Sequence, residues 1–474
     1  MIMKLRYYTT GYWRINNEGS KYKGDLYLNK KYGGIVIYIR IPNDGPIMSM
    51  LELPLQITFL SGSTIDGYDI TLVNCERIIT KSIVRTEEIF GYQAQFLFNG
   101  IKFTNEEDIR FSKMKISIPG IIKWGNISNY VKPNIDKNKD SLIELKIMEP
   151  IDIYSNENYT ISYDVSFSDP FDLMKEEITL KQTPYLIIKS NKLQTLEWFL
   201  KIANDMKRLI EISIGLPLSF DQMVVESPKI YYEFEKGDKV SRPLDVIHSF
   251  INDTNVDDNN RKLSKHEYLF HLNELREANF SNWQEISTIM EPIIELYIDT
   301  IYNENLSMNR HFLHMVQALE TYHSRRIANS LPEYKKRIEE LLDMRPSSFR
   351  NDDRKFLLDG CTEHVTLRSR LADLILAEFK YFFYTGDFKR TDFPKIVAQT
   401  RNYYTHYNQR LKKKALTGEN LRIAIDILRN ILEFYILKEL GFRDDFIHER
   451  IRERIKPVKT SIEVRRADQE KHGY

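Results

Sequence analysis

The chain has 474 residues, 42% apolar and 28% charged; this is the balance of an ordinary globular protein, and the length exceeds one core, so two or three domains are expected. Sixty-eight Lys and Arg against 67 Asp and Glu leave a formal net charge of +1, which excludes a polycation and requires any nucleic-acid binding to come from a local basic patch. Two cysteines, Cys75 and Cys361, with no CxxC pair exclude a disulfide framework and a cysteine-based zinc site; no apolar run forms a signal peptide or reaches the ~18 residues of a membrane span, so a soluble cytoplasmic protein is expected.

From Trp13 to about Phe167 the chain alternates. GGIVIYIRI, LPLQITFL, YDITLVN, YQAQFLF and MKISIPGIIKW are short Val-, Ile-, Tyr- and Phe-rich runs broken by Gly and Asn. That is the pattern of a half-buried antiparallel sheet. Residues 1–185 are therefore expected to form a β-domain, a sandwich or a barrel, with Trp13 and Trp124 as packing residues.

From about Lys189 the period becomes helical. NKLQTLEWFLKIANDMKRLIEIS carries Leu193, Leu196, Leu200 and Met206 in a stripe and ends at Gly215-Leu216-Pro217, a stop signal. The polar stretch 252–262 reads as a loop. A helical middle region over 186–300 follows from this pattern, and a helix bundle over 301–474. The bundle helices are RHFLHMVQALETYHSRRIA, PEYKKRIEELLDM with Pro332 at its start, TLRSRLADLILAEFKYFF, FPKIVAQTRNYYTHY and GENLRIAIDILRNILEFYILKEL. The last places Leu421, Ala424, Ile425, Leu428, Leu432, Tyr435 and Ile436 on one face and stops at Gly441. The fold class is α+β.

Chemistry concentrates in one stretch, TRNYYTH at 400–406. About 0.6 Arg-x4-His matches are expected by chance in this composition, and the chain holds three: Arg261/His266, Arg401/His406 and Arg443/His448. Context separates them. The first ends a polar loop, and the third encloses Asp444 and Asp445, which repel phosphate and neutralise the arginine. Arg401/His406 has no acid between its members. It has Asn402 beside the arginine, Tyr403 and Tyr404 as base-stacking surfaces, and the basic run Arg410, Lys412, Lys413, Lys414 just beyond.

Those residue types suit RNA cleavage. Attack of a ribose 2′-OH on the adjacent phosphate needs one proton removed, one delivered to the leaving 5′-oxygen, and charge stabilised on the phosphorane. Histidine serves either proton role near neutrality. Arginine offers a planar fork to phosphate oxygens whose value grows as charge develops. No metal or other cofactor is needed. Along a helix, however, Arg401 and His406 point roughly 140° apart and are separated by about 7.5 Å of axis. A surface ion pair for Arg401 and an ordinary polar histidine is the competing account.

The segment IVAQTRNYYTHYNQ, followed by a long helix, resembles the active-site helix of HEPN domains, helical bundles whose Arg-x4–6-His motif marks metal-independent RNases. FLHMVQALETYH resembles the opening of the HEPN domain in the ApeA-like branch. In the first half, GYWRINNEGSKYKGDLYL, SGSTIDGYDITLVNC and FNGIKF resemble the N-terminal domain of ApeA-type anti-phage defence proteins. The resemblance implies Arg401 and His406 as the catalytic pair, Asn402 as the intervening polar residue, and a homodimer or higher oligomer with two motifs facing each other. It also implies an abortive-infection effector that a phage-derived trigger releases to cut host RNA, tRNA among the candidates.

Glu320 is a candidate supporting group for the site, against a helix-surface pairing with Arg325 or Arg326. His311 and His314 lack a third ligand for a metal. Lys412–Lys414 are either phosphate contacts or a solvated turn. GxxxxGK[ST], GxGxxG and GxSxG are absent, so nucleotide hydrolysis and serine-hydrolase chemistry have no support. The rival readings are a non-catalytic HEPN module that binds RNA or protein alongside a β sensor, and a carbohydrate- or peptide-binding β-domain on a helical dimerisation module.

Overall fold

The computed structural model describes residues 8–29, 34–42, 53–84, 87–131, 144–168, 174, 176–233, 238–249, 268–277, 280–303, 305–327, 339–340, 343–344 and 365–472. The polar stretch 252–262, the pair Arg261/His266, Cys361 and most of the helix expected from Pro332 lie outside them. Contacts divide the chain into two compact units, residues 1–207 with 218–261, and residues 208–217 with 262–474.

Alternation makes the first six strands of the first unit a closed antiparallel barrel. Strands β1 (Tyr8–Ile15), β2 (Glu18–Asn29), β3 (Gly34–Pro42), β4 (Gln56–Thr64), β5 (Asp69–Val84) and β6 (Glu87–Asn99) pair in the order β6-β3-β2-β1-β4-β5, and β5 returns to β6. Closure leaves no free edge among these six strands. Every second residue points inward, so Trp13, Leu26, Ile35, Ile37, Ile39, Leu60, Leu72 and Leu97 form one buried core. Trp13 is fully buried and its Nε1 donates to the Gly24 carbonyl at 3.3 Å. A Cβ on Gly24 or Gly62 would lie 2.9 or 2.6 Å from the indole, so those two glycines make its slot. Trp13→Ala would cost about 3–5 kcal/mol.

The sheet continues from β6 through β16 (Leu244–His248), β13 (Met223–Glu226), β7 (Phe111–Ser117), β12 (Gln182–Gln194), β11 (Tyr159–Phe167) and β10 (Ile151–Ser155); β8 (Tyr130–Val131) with β9 (Glu144–Leu145), and β14 (Tyr231–Glu233) with β15 (Lys239–Ser241), form separate two-stranded ribbons. Trp124, in the short helix α1 (Ile122–Gly125), is buried edge-on against Tyr163. The two tryptophans are core, as expected. The stretch 186–300, read as helical, also carries strands: β12 runs to Gln194, and β13 and β16 belong to the main sheet. Helix α2 therefore begins only at Leu196 and ends at Ile214, before Gly215 at φ +71°.

The second unit is helical: α3 (Leu272–Glu277), α4 (Phe280–Ile289), α5 (Glu291–Tyr302), α6 (Met308–Tyr322), α7 (Leu367–Leu374), α8 (Phe393–His406), α9 (Gly418–Glu439) and α10 (Asp444–His472). Helix α9 buries Ile423, Ile427, Ile431, Phe434 and Leu437 as well as the expected stripe; it is a central helix covered on nearly all sides rather than an amphipathic surface helix. Gly441, at φ +89°, ends that run with the Phe442 N–H bonded back to the Leu437 carbonyl at 3.1 Å, a left-handed cap.

The stretch 366–383, expected as one helix, breaks at Ile375 and resumes as a 3₁₀ turn, Ala377–Phe383. The Tyr435 hydroxyl donates to the Leu374 carbonyl at 2.8 Å and Arg390 to the Ile375 carbonyl at 3.0 Å. Tertiary donors thus satisfy acceptors that a continuing helix would have used.

Candidate functional site

Helix α8 carries the Arg401/His406 motif. Pro394 sits in its first turn, where a missing N–H costs nothing. Phe393, Val397, Thr400 and Tyr404 are buried, and their 4-3-4 spacing makes a single stripe that seats the helix. Arg401 lies on the flank of that stripe and is half-buried; Asn402 and His406 lie on the far side and are exposed.

Arg401 is held by two weak contacts. One guanidinium nitrogen lies 3.7 Å from the Glu320 carboxylate on α6, and another donates to the Asn402 side-chain oxygen at 3.4 Å. Glu320 therefore faces the motif. The arginines expected as its partners go elsewhere: Arg325 donates to the Ile289 carbonyl at 2.6 Å, and Arg326 grips Glu439 at 2.6 and 2.9 Å. The Glu320 backbone carbonyl also accepts from Arg370 at 3.2 Å, which fixes α6 where the acid is needed. No hydrogen bond joins His406 to Arg401 within the chain.

The segment after the helix is clamped to it. Thr400 Oγ1 donates to the Ile396 carbonyl at 2.9 Å and accepts from the Leu416 N–H at 3.1 Å, while the Tyr404 hydroxyl donates to the Leu416 carbonyl at 2.6 Å. Burial, with neighbouring Tyr403 and Tyr407, holds the Tyr404 phenol above its ordinary pKa, so it is a donor at neutral pH. Tyr404, expected as a base-stacking surface, is buried with its ring near Phe312 and is instead a structural clamp. Tyr403 stays half-exposed. Within the clamped segment Arg410, Lys412, Lys413 and Lys414 are exposed, and none has an ion-pair partner among the described residues.

Tyr407 follows His406 directly and caps the helix in the left-handed region at φ +49°, its N–H bonded to the Tyr403 carbonyl at 2.6 Å. The roles of Thr400, Tyr404 and Tyr407 were missed in the sequence. The stripe that buries Thr400 and Tyr404 was readable from spacing; the conformation of Tyr407 was not.

The other histidines singled out within the described residues have neighbours of their own. His448 is covered: its Nδ1 lies 2.7 Å from the Tyr381 hydroxyl and its Nε2 3.6 Å from Glu378. Exposed Arg443 lies 3.6 Å from Asp445, so this third motif match holds its own acid, as its sequence implies. His311 lies 3.5 Å from the Asn303 carbonyl and His314 3.0 Å from Asp299. No cluster of three or more metal-ligating side chains occurs among the described residues. No helix among them is long and apolar enough to cross a membrane.

Two family models match. ApeA N-terminal domain 1 covers residues 9–283, more than half of the chain, and the Apea-like HEPN model covers residues 313–446, from α6 through α8 and α9. No curated protein and no solved structure matches the chain. The barrel unit, the helical unit and the order in which they follow one another agree with these two models, and the chain belongs to the ApeA family, an ApeA N-terminal domain followed by an Apea-like HEPN domain.

Proposed function

We propose that this protein is an anti-phage effector whose HEPN domain is a metal-independent endoribonuclease cutting host RNA, tRNA among the candidates. The observation that carries the reading is the grouping on α8. Arg401, Asn402 and His406 reach the surface at one helix end, and an unpaired basic segment is tied beside them. Arg401 takes the phosphate and stabilises the phosphorane, its fork being matched to non-bridging oxygens. His406 moves a proton to or from the 2′-OH or the 5′-oxygen. Asn402 orients the phosphate, and Arg410, Lys412, Lys413 and Lys414 hold flanking phosphates.

One chain presents Arg401 and His406 on different sides of the helix, roughly 140° apart. Two copies with their α8 ends opposed bring an arginine of one and a histidine of the other to the same groove, so the active form is a homodimer or higher oligomer. In this reading the barrel unit senses a phage-derived trigger and restrains the helical unit until infection.

The test is growth of cells carrying wild type, Arg401→Ala, His406→Ala or Asn402→Ala, with and without phage, followed by mapping of RNA ends. Protection and new ends with wild type, both absent with Arg401→Ala and His406→Ala, support the reading. Protection by His406→Ala with RNA binding intact points to a non-catalytic RNA-binding module.

A further inference from the structure

Five residues other than glycine among the described residues have positive φ: Asn16, Asn17, Asn74, Asn126 and Tyr407. Asparagine tolerates this conformation because its short amide bonds locally; a tyrosine gains nothing from it and is strained. Glycine is the usual residue at such a helix end. Tyr407 is also 66% exposed, the one aromatic so exposed among the described residues of the helical unit. Its hydroxyl makes no hydrogen bond among the described residues. Its ring centroid lies 6.0 Å from that of half-exposed Tyr403, and the chain then turns into the clamped basic segment.

A strained, exposed aromatic whose ring meets only the edge of Tyr403 among the described residues, and whose hydroxyl bonds to nothing there, is not explained by stability. Its place is between His406 and the cations at 410–414, where a nucleotide next to the cut phosphate has to lie. We propose that Tyr407 is the stacking surface for the base of a single-stranded nucleotide flanking the cleaved phosphate, with Tyr403 bracing the ring; this rests on the ribonuclease reading above. Stacking on an aromatic face is tolerant of base identity, because every base has a π-face. The site therefore selects for an unpaired nucleotide at that position and not for a particular sequence.

The test uses the full chain in a His406→Ala background, which blocks cleavage, and a fluorescein-labelled single-stranded RNA followed by anisotropy. Tyr407→Phe keeps the parent affinity. Tyr407→Gly weakens it by about 5- to 150-fold, the range for loss of one base–aromatic stack, while its Tm is equal or higher because the strain is gone. An RNA with one abasic nucleotide beside the cut site binds both equally. Unchanged affinity in Tyr407→Gly, or a loss as large in Tyr407→Phe, overturns the inference. So does a Tyr407→Gly protein that sediments as a smaller species, which makes Tyr407 a contact between copies. If the parent binds no RNA, the ribonuclease reading falls with it. If Arg401→Ala weakens binding and Tyr407→Gly does not, the stacking inference alone fails.

Discussion

Thr400 and Tyr404 hold both polar groups of a single residue, Leu416, and this clamp is what places the basic segment. Thr400→Val keeps the shape of a fully buried side chain and deletes the Oγ1 that accepts from the Leu416 N–H at 3.1 Å. An orphaned donor of this kind costs about 1–3 kcal/mol. Tyr404→Phe removes the 2.6 Å bond to the Leu416 carbonyl, a loss of about 0.5–1.5 kcal/mol. Since both bonds end on one residue, the two changes couple, and the double variant should depart from additivity by about 0.5 kcal/mol or more. Three measurements check this: denaturant unfolding, hydrogen exchange at the Leu416 amide, and RNA binding with turnover. The double variant should exchange that amide faster and bind RNA about two- to tenfold more weakly, because cations at 410–414 are ordered only on binding. Its kcat at saturating RNA should be close to wild type. Loss of kcat with unchanged KM, or unchanged exchange and binding, would refute the clamp as a placing device.

Other outcomes follow from the same geometry. The Arg401–Glu320 pair is long and about one-third exposed on both sides, 34% and 32%, so its worth is about 0–1 kcal/mol. Glu320→Gln should lower kcat/KM by no more than about fivefold, and a hundredfold loss in steady-state assays would give Glu320 a direct part in the chemistry. Glu433 is wholly buried and accepts from Tyr297 at 2.6 Å and Arg454 at 2.7 Å. Arg454→Met leaves that carboxylate under-compensated and should destabilise the protein by about 3–5 kcal/mol in denaturant unfolding; a change below 1 kcal/mol would contradict it. Burial pushes the Asp426 carboxyl above its ordinary pKa, with Arg429 and Arg422 opposing and Glu433 adding to the rise. The folded state then binds a proton more tightly than the unfolded chain, so this residue's contribution is full at low pH and is lost as pH rises through the folded value. Asp426→Asn should be more stable than wild type at neutral pH, with the gain shrinking as pH falls through the raised folded value and gone below the ordinary carboxylate value. A gain that is constant with pH would show that titration is not its source.

The barrel was legible because its strands alternate cleanly and its turns are marked by Gly and Asn; closure was not, since the β5–β6 pairing that makes it a barrel leaves no trace in local pattern. Strands β13 and β16 escaped because they are short, four and five residues, too few for alternation to stand out. The break at Ile375 was invisible for a different reason. Its cause is two donors from Tyr435 and Arg390, distant in sequence.

At the candidate site, residue types and their spacing picked out α8, and the structure adds direction. Arg401 sits on the flank toward Glu320, His406 on the exposed side, and Tyr404 inside. A 3.6-residue period assigned before chemistry would have put Tyr404 in the core with Phe393 and Val397. The left-handed turn at Tyr407 runs against local preference, since glycine is the usual residue there, so no rule of composition anticipates it.

The most direct test of the central claim is cleavage, by protein purified from phage-infected cells, of a short RNA spanning a mapped cut site, with EDTA present, compared with the same RNA carrying one 2′-deoxynucleotide 5′ of that phosphate. Cleavage of the all-RNA strand to a 2′,3′-cyclic phosphate end, none at the deoxy position, and none with Arg401→Ala or His406→Ala is the predicted result. Cleavage at the deoxy position, or full activity in His406→Ala, would contradict it and remove α8 as the catalytic element.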